Sequence, residues 1–467
     1  MTQTRPATPA TKPHRVAVQY APLSAQGPAV TLPAWNGAVN RQQIGRLAVG
    51  GCVYGGQTLT FWGPVRDLLH ITDGPVGCGV YAHARRPQDG SPMGIAEFAG
   101  LNLGTDIQER DIVFGTLPKL ERAMTEADQL FPLHRGMTLL ATCPIALIGD
   151  DLEAAARRGT RVLHRPAVAV PCAGFLRGDG VGATHATILD TWRDWAETGQ
   201  SARRGAYQVT LLCPELGGAW REIVRLLERL GLEVVARWPG GADRATIRHL
   251  GHGRLTVSVG LDDWAQRLAW TFGLPWVAAD FLGPSATAES LRRIAARFDR
   301  RIQRRAESVI AAESPAAEAV VASCRARLAG RLHLSLMPLE PSDVRPLGEF
   351  GLRVGSAQQG WPDPDGVWQM PEDCQRYSQM TPERVEALLR RARPDLVEGV
   401  GQDAAALRKA GYAILDDQAR AELARAASGF EGVARLGRTL LALLDAPVRR
   451  LRQPPWRVRP APDGSGG

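Results

Sequence analysis

The 467-residue chain has no apolar run long enough to span a bilayer, which excludes a helical membrane protein. Its opening stretch, Met-Thr-Gln-Thr-Arg-Pro-Ala-Thr-Pro, lacks the apolar core of a secretory signal, so a cytoplasmic location is expected. No G-x-x-x-x-G-K-[ST] phosphate loop occurs, so ATP hydrolysis of that type would fall to another protein. Aromatic residues make up 6% and do not interleave with the basic ones, so the net charge of +8 does not describe a nucleic-acid surface. The arginines, as in L-R-R-I-A-A-R-F-D-R-R, read as solvated helix faces, with an acidic protein partner as the lesser alternative. Cysteine is sparse and odd in number, seven in all and widely scattered, which suits reduced thiols or metal ligands better than a disulfide framework.

Three of those cysteines sit in turns marked by glycine or proline. Cys52 lies in G-C-V-Y-G-G, Cys78 in G-P-V-G-C-G, and Cys143 in A-T-C-P-I-A-L-I-G-D-D. Thiolates on rigid, closely approaching backbone suit an iron–sulfur cluster. The spacings fit neither a zinc finger nor a ferredoxin, because the three segments are far apart. Three ligands are one short of a cubane set, so another chain is expected to complete the cluster at a subunit interface. Cys172, Cys213, Cys324 and Cys374 lack glycine-flanked geometry and read as ordinary thiols.

Alternation of short apolar runs with helical stretches occurs three times, predicting an α/β protein of three Rossmann-like domains with parallel sheets around a central cavity. The expected boundaries are an N-terminal arm over 1–40, partly disordered, then domains over 41–205, 206–328 and 329–425. A segment over 426–467 is expected to return to the first domain and end in a loose tail. Leu120, Met124, Ala127 and Leu130 mark one helix face, followed by a strand over 137–142, a helix over 149–158 and a strand over 167–171. Further on, Gly231 reads as a helix C-cap, and Ser285 or Thr287 as the cap of one long amphipathic helix reaching Val309. Ligands of open parallel sheets gather beyond the carboxyl ends of the strands, and Cys143 follows directly on one.

The stretch 62–81, W-G-P-V-R-D-L-L-H-I-T-D-G-P-V-G-C-G-V-Y, resembles the α-subunit of the nitrogenase molybdenum–iron protein. So do D-I-Q-E-R-D-I-V-F-G (106–115), C-P-I-A-L-I-G-D-D (143–151), P-C-A-G-F (171–175) and, further on, 281–299 and G-F-E-G (429–432). The resemblance implies that Cys52, Cys78 and Cys143 ligate an iron–sulfur cluster, P-cluster-like or a single 4Fe–4S cubane, shared with a homologous β-type subunit in an α2β2 heterotetramer. It also implies a separate ATP-dependent iron protein that docks over this cluster, with Phe114 at the docking surface. His83, Arg85 and Arg86 fall near the family's cofactor-pocket arginine region and would bind an anionic group of a cluster or substrate; a salt-bridged surface segment is the alternative.

The departures are informative. The position of the family's cofactor cysteine falls near Val257, where there is no cysteine, and that of its histidine falls near Ala419, within Asp-Asp-Gln-Ala-Arg. The substrate-side histidine falls on Ala186, with His185 adjacent. Dinitrogen reduction by a conventional cofactor is therefore not expected. Two functions remain. One is a nitrogenase-like reductase subunit, relaying electrons from the iron protein to a substrate such as an organosulfur compound (methylthio-alkane reductase-like), or to a second large iron–sulfur cofactor with atypical ligation. The other is a scaffold subunit for iron–molybdenum cofactor assembly.

Overall fold

A computed structural model of the chain describes residues 54, 61–79, 102–173, 179–197, 204–214, 219–336, 346–359, 375–380, 382–399, 407–415 and 428–446. Three parallel sheets are built by strand–helix alternation, as expected. The first joins β1 (Leu68–Asp73), β2 (Asn102–Gly104), β3 (Gly136–Ala141) and β4 (Ala167–Pro171) in the order β2-β1-β3-β4. Its helices are α1 (Glu109–Phe114), α2 (Leu117–Leu130), α3 (Cys143–Ile148), α4 (Leu152–Leu163) and α5 (Asp179–Trp195).

The second sheet repeats this order as β6-β5-β7-β8, from β5 (Gln208–Cys213), β6 (Glu233–Pro239), β7 (Leu255–Val259) and β8 (Trp276–Ala279). Here the helices are α6 (Trp220–Leu230), α7 (Arg244–Arg248), α8 (Asp262–Phe272), α9 (Pro284–Ala295) and α10 (Arg300–Leu328). The third has the order β11-β10-β9-β12-β13, from β9 (Leu332–Ser335), β10 (Arg353–Gln359), β11 (Gln375–Met380), β12 (Leu396–Glu398) and β13 (Ile414–Leu415). The helix α11 (Pro382–Ala392) precedes β12, and α12 (Gly429–Asp445) closes the described chain.

The chain divides into two compact units. One comprises residues 47–323 and 418–439 and carries the first two sheets; the other includes residues 324–417 and carries the third. In the larger unit, the start of α12 is tied back by the Gly429 N–H donating to the Phe281 carbonyl at 2.7 Å.

β1 and β3 are buried along their whole length, including the polar His70, Thr72, Asp73 and Thr138. Those groups pair internally: His70 Nδ1 lies 2.6 Å from Thr138 Oγ1, and the Tyr54 hydroxyl 2.6 Å from Thr72 Oγ1. Between the first two sheets, Trp62, Trp192, Trp238 and Trp264 stack in largely perpendicular pairs with centroids 5.4–5.9 Å apart. Edge-to-face packing satisfies the aromatic quadrupoles, and each indole removes on the order of 200 Å² from water.

The local differences from expectation have physical causes. The helix expected over 149–158 is α4, which starts later, at Leu152, and runs on to Leu163; a separate short helix, α3, precedes it. Gly149 adopts φ 77° and ends α3, and the Asp151 carboxylate accepts the Ala154 N–H at 2.8 Å to start α4. The long helix expected to reach Val309 is divided into two, α9 and α10. Neither Ser285 nor Thr287 caps the first: Pro284 occupies its opening turn, and Thr287 is buried with its hydroxyl on the Phe281 carbonyl at 3.1 Å. Asp299 breaks the run by accepting the N–H groups of Arg301 at 2.9 Å and Ile302 at 3.1 Å, which starts α10. Leu120, Met124 and Ala127 are buried, but Leu130 is exposed because it lies about 80° around the helix from Leu120. Gly231 ends α6 in the left-handed conformation at φ 87°, as its position predicted.

Candidate metal centre

The order β2-β1-β3-β4 makes the gap between the carboxyl ends of β1 and β3 the switch point of the first sheet, where successive connections leave in opposite directions. Asp73 and Ala141 are paired at those two ends. β1 leaves through Gly74-Pro75 into a single helical turn over 76–79, in which the Cys78 N–H donates to the Pro75 carbonyl at 3.0 Å. β3 leaves through Thr142 into α3, whose first residue is Cys143. The two thiols therefore follow neighbouring strands out of the same sheet edge. Both are half-buried and neither forms a disulfide.

Thr142 joins the two exits. Its hydroxyl donates to the Asp73 carbonyl at 2.7 Å, and its N–H reaches the same oxygen at 3.2 Å. Gly74 is required for this approach, because a Cβ there would lie 2.3 Å from Thr142 Oγ1. Pro144 sits in the first turn of α3, where its missing N–H costs nothing.

Beneath the edge lies a carboxylate network. Asp73, fully buried, accepts the Thr105 hydroxyl at 2.7 Å and the Thr116 hydroxyl at 2.8 Å. Thr105 in turn accepts the Gly74 N–H at 3.1 Å. The Asp150 carboxylate accepts the Thr116 N–H at 2.6 Å and faces its hydroxyl at 2.7 Å. Segments following β1, β2 and β3 are thus locked to one another. Burial pushes the Asp73 carboxyl above its ordinary range; the two threonine hydroxyls oppose this, and the charges of Asp150 and Asp111 add to it. Thr116 has one hydroxyl proton between two carboxylates, so a proton held on Asp73 would satisfy the second contact.

On the same side of the sheet the surface is apolar. Phe114 at the end of α1 is 79% exposed, Val113 beside it 74%, and Leu147 on α3 72%. Val76, in the turn carrying Cys78, is also exposed. Exposed residues of this size on short connecting helices mark a contact surface better than a folding core.

Cys172 lies one residue past β4, buried, with Sγ 2.8 Å from the Ala141 carbonyl. Cys213 and Cys324 are buried as well. Cys52, His83, Arg85, Arg86 and Cys374 lie outside the described residues, as does the stretch containing Ala419. Val257 is fully buried inside β7; the carboxyl end of that strand falls at Gly260 and Leu261, which offer neither sulfur nor imidazole. His185 packs on α5 against Trp264, with centroids 4.7 Å apart, and Phe61 at 5.8 Å, while Ala186 beside it is exposed. Burial, reinforced by Arg267, lowers the pKa of His185 and favours its neutral form.

The network of Asp73, Thr105, Thr116, Thr142 and Asp150 was not legible in sequence. Its one signal is the Thr-Asp-Gly-Pro step (72–75), a polar pair running directly into a turn.

The model of the nitrogenase component 1 type oxidoreductase family matches residues 52–445. The chain belongs to this family. The nitrogenase molybdenum-iron protein alpha chain of Azotobacter vinelandii is 33% identical over 436 residues, covering 90% of this chain and 88% of that protein. That of Nostoc sp. is 32% identical over 437 residues, with 88% and 87% covered. A solved structure described as nitrogenase Cp1 at pH 5 superposes with a TM-score of 0.73 at 23% identity, covering 87% of this chain and 90% of that one, and establishes the shared fold. Among the described residues, no helix is long and apolar enough to cross a membrane.

Proposed function

We propose that the chain is the α-type subunit of a nitrogenase-like two-component reductase, with Cys52, Cys78 and Cys143 holding an iron–sulfur cluster shared with a β-type subunit. The observation that carries this reading is the emergence of Cys78 and Cys143 from adjacent parallel strands at the switch point, tied together through Thr142 and Asp73. The donor set fits the group: soft sulfur ligands, outside disulfides, on backbone held by internal hydrogen bonds. Such a cluster supplies low-potential one-electron transfer. Residues of this chain would position it, exclude water through the buried layer of β1 and β3, and offer Val76, Val113, Phe114 and Leu147 as a docking face for an ATP-dependent iron protein. An α2β2 assembly in the cytoplasm follows from the same reading.

The lack of a cysteine near Val257, and of a histidine in the sequence around Ala419, directs the substrate away from dinitrogen on a conventional cofactor. A small organosulfur substrate fits, as does a second large iron–sulfur cofactor with atypical ligation; His83 and Arg85 are the proposed contacts for an anionic group. Loss of the histidine, but not of the cysteine, also fits a scaffold that holds a cofactor precursor loosely during assembly. Electron paramagnetic resonance and iron analysis of the anaerobically purified heteromer test the cluster assignment. Cys78→Ala and Cys143→Ala are expected to lose the cluster signal, while Cys172→Ala retains it; an unchanged signal in the first two removes the assignment. Turnover of an organosulfur substrate with the iron protein and ATP separates reductase from scaffold.

A further inference from the structure

A second group of metal-binding side chains lies at the end of α5 and the end of α7. Glu197 follows α5, and His249 and His252 stand three residues apart in the turn that leaves α7. One ligand atom from each lies within 4.8 Å of the others, and all three residues are half-buried. The geometry is held by backbone. The Glu197 N–H donates to the Arg248 carbonyl at 2.8 Å, and the His252 N–H to the His249 carbonyl at 2.9 Å. The two imidazoles lie with centroids 4.9 Å apart.

The side-chain contacts leave a particular vacancy of bonding. Arg248 takes Oε1 of Glu197 at 2.5 Å, which orients the carboxylate and turns Oε2 toward His252. Nε2 of His252 is buried and lies 3.1 Å from Oε2, but outside hydrogen-bond geometry with it. An edge of a tetrahedral zinc site with ligand bonds of about 2.0–2.1 Å is about 3.3 Å long, so this pair already has the separation that two ligands of one ion need.

We propose that Glu197, His249 and His252 form a site for one divalent transition-metal ion of the zinc class. Two imidazoles and a carboxylate are borderline ligands that suit zinc over magnesium or calcium. Three protein ligands leave a fourth position for water. Arg248 acts as the outer partner that fixes the carboxylate, in the way second-sphere groups orient metal ligands. Zinc here would pin the α5 terminus to the α7 turn.

The test uses the full-length protein purified anaerobically with its partner subunit. It is dialysed against zinc chloride and then against metal-free buffer, and zinc and iron are measured together. The wild type is expected to retain one zinc per chain more than the His249→Ala/His252→Ala variant at equal iron content, and Glu197→Gln to bind zinc at least about 10-fold more weakly. Equal zinc retention in wild type and double variant overturns the proposal. Should the double variant fail to fold, zinc K-edge X-ray absorption of the wild type decides. Two imidazoles with oxygen at about 2.0–2.1 Å support the site, whereas a sulfur shell at about 2.3 Å, or no imidazole scattering, overturns it.

Discussion

The Thr142 hydroxyl donates to the backbone carbonyl of Asp73 across 2.7 Å, and this bond ties the exit of one strand to that of its neighbour. Everything carried beyond those exits, Cys78 on one side and Cys143 on the other, inherits its relative position from that tie. Thr142→Val keeps the shape and removes the donor. Because the Thr142 N–H also reaches the Asp73 carbonyl, the expected loss is about 1 kcal/mol, not the full cost of an orphaned acceptor. Thermal unfolding measures it, and a change in the reduction potential of the proposed cluster at full iron content would show that the tie also sets cluster geometry.

Gly74→Ala attacks the same joint from the opposite side. The added methyl would overlap Thr142 Oγ1, so one exit must shift, at a cost of about 1–3 kcal/mol. Combining it with Thr142→Ala, which removes the nearest atoms, should recover part of the loss. Strict additivity of the two changes would show that they do not meet.

Asp73 gives a pH dependence with a definite sign. Its folded pKa is raised, mainly by burial, so the proton is bound more tightly in the folded than in the unfolded chain. The stability linked to it is fully present below the unfolded value of about 3.9 and is lost as pH rises through the folded one. Asp73→Asn removes this titration. The unfolding midpoint of the wild type relative to the variant should fall as pH rises from about 4; a constant difference across that range contradicts the assignment.

Phe114→Glu changes only a surface. With the side chain 79% exposed, the fold is expected to hold within about 0.5 kcal/mol. Under the proposed docking role, electron transfer from the iron protein should slow, chiefly through weaker association, while cluster content stays normal. Unaltered rates at subsaturating iron protein would argue that the apolar face serves something else.

Much of the architecture was readable because it depends on local chemistry. The α6 boundary at Gly231 follows from a left-handed cap, and β4, β5 and β7 from short runs rich in valine, leucine and alanine. β1 was harder to read because His70, Thr72 and Asp73 interrupt its apolar pattern, and only partners such as Thr138, Tyr54 and Thr116 make them tolerable inside a sheet. The breaks at Gly149 and Asp299 escaped periodicity because a capping residue costs the helical pattern only a few positions.

By itself the sequence determined the class of fold and the family, since these follow from residue type and short-range pattern. Tertiary structure alone decided which residues stand together. Parallel pairing set Asp73 beside Ala141, 68 positions apart, and the turn after α7 brought His249 and His252 against Glu197. Such pairings are set by strand order and by burial of polar groups that must find partners, and neither is encoded in any single stretch of chain.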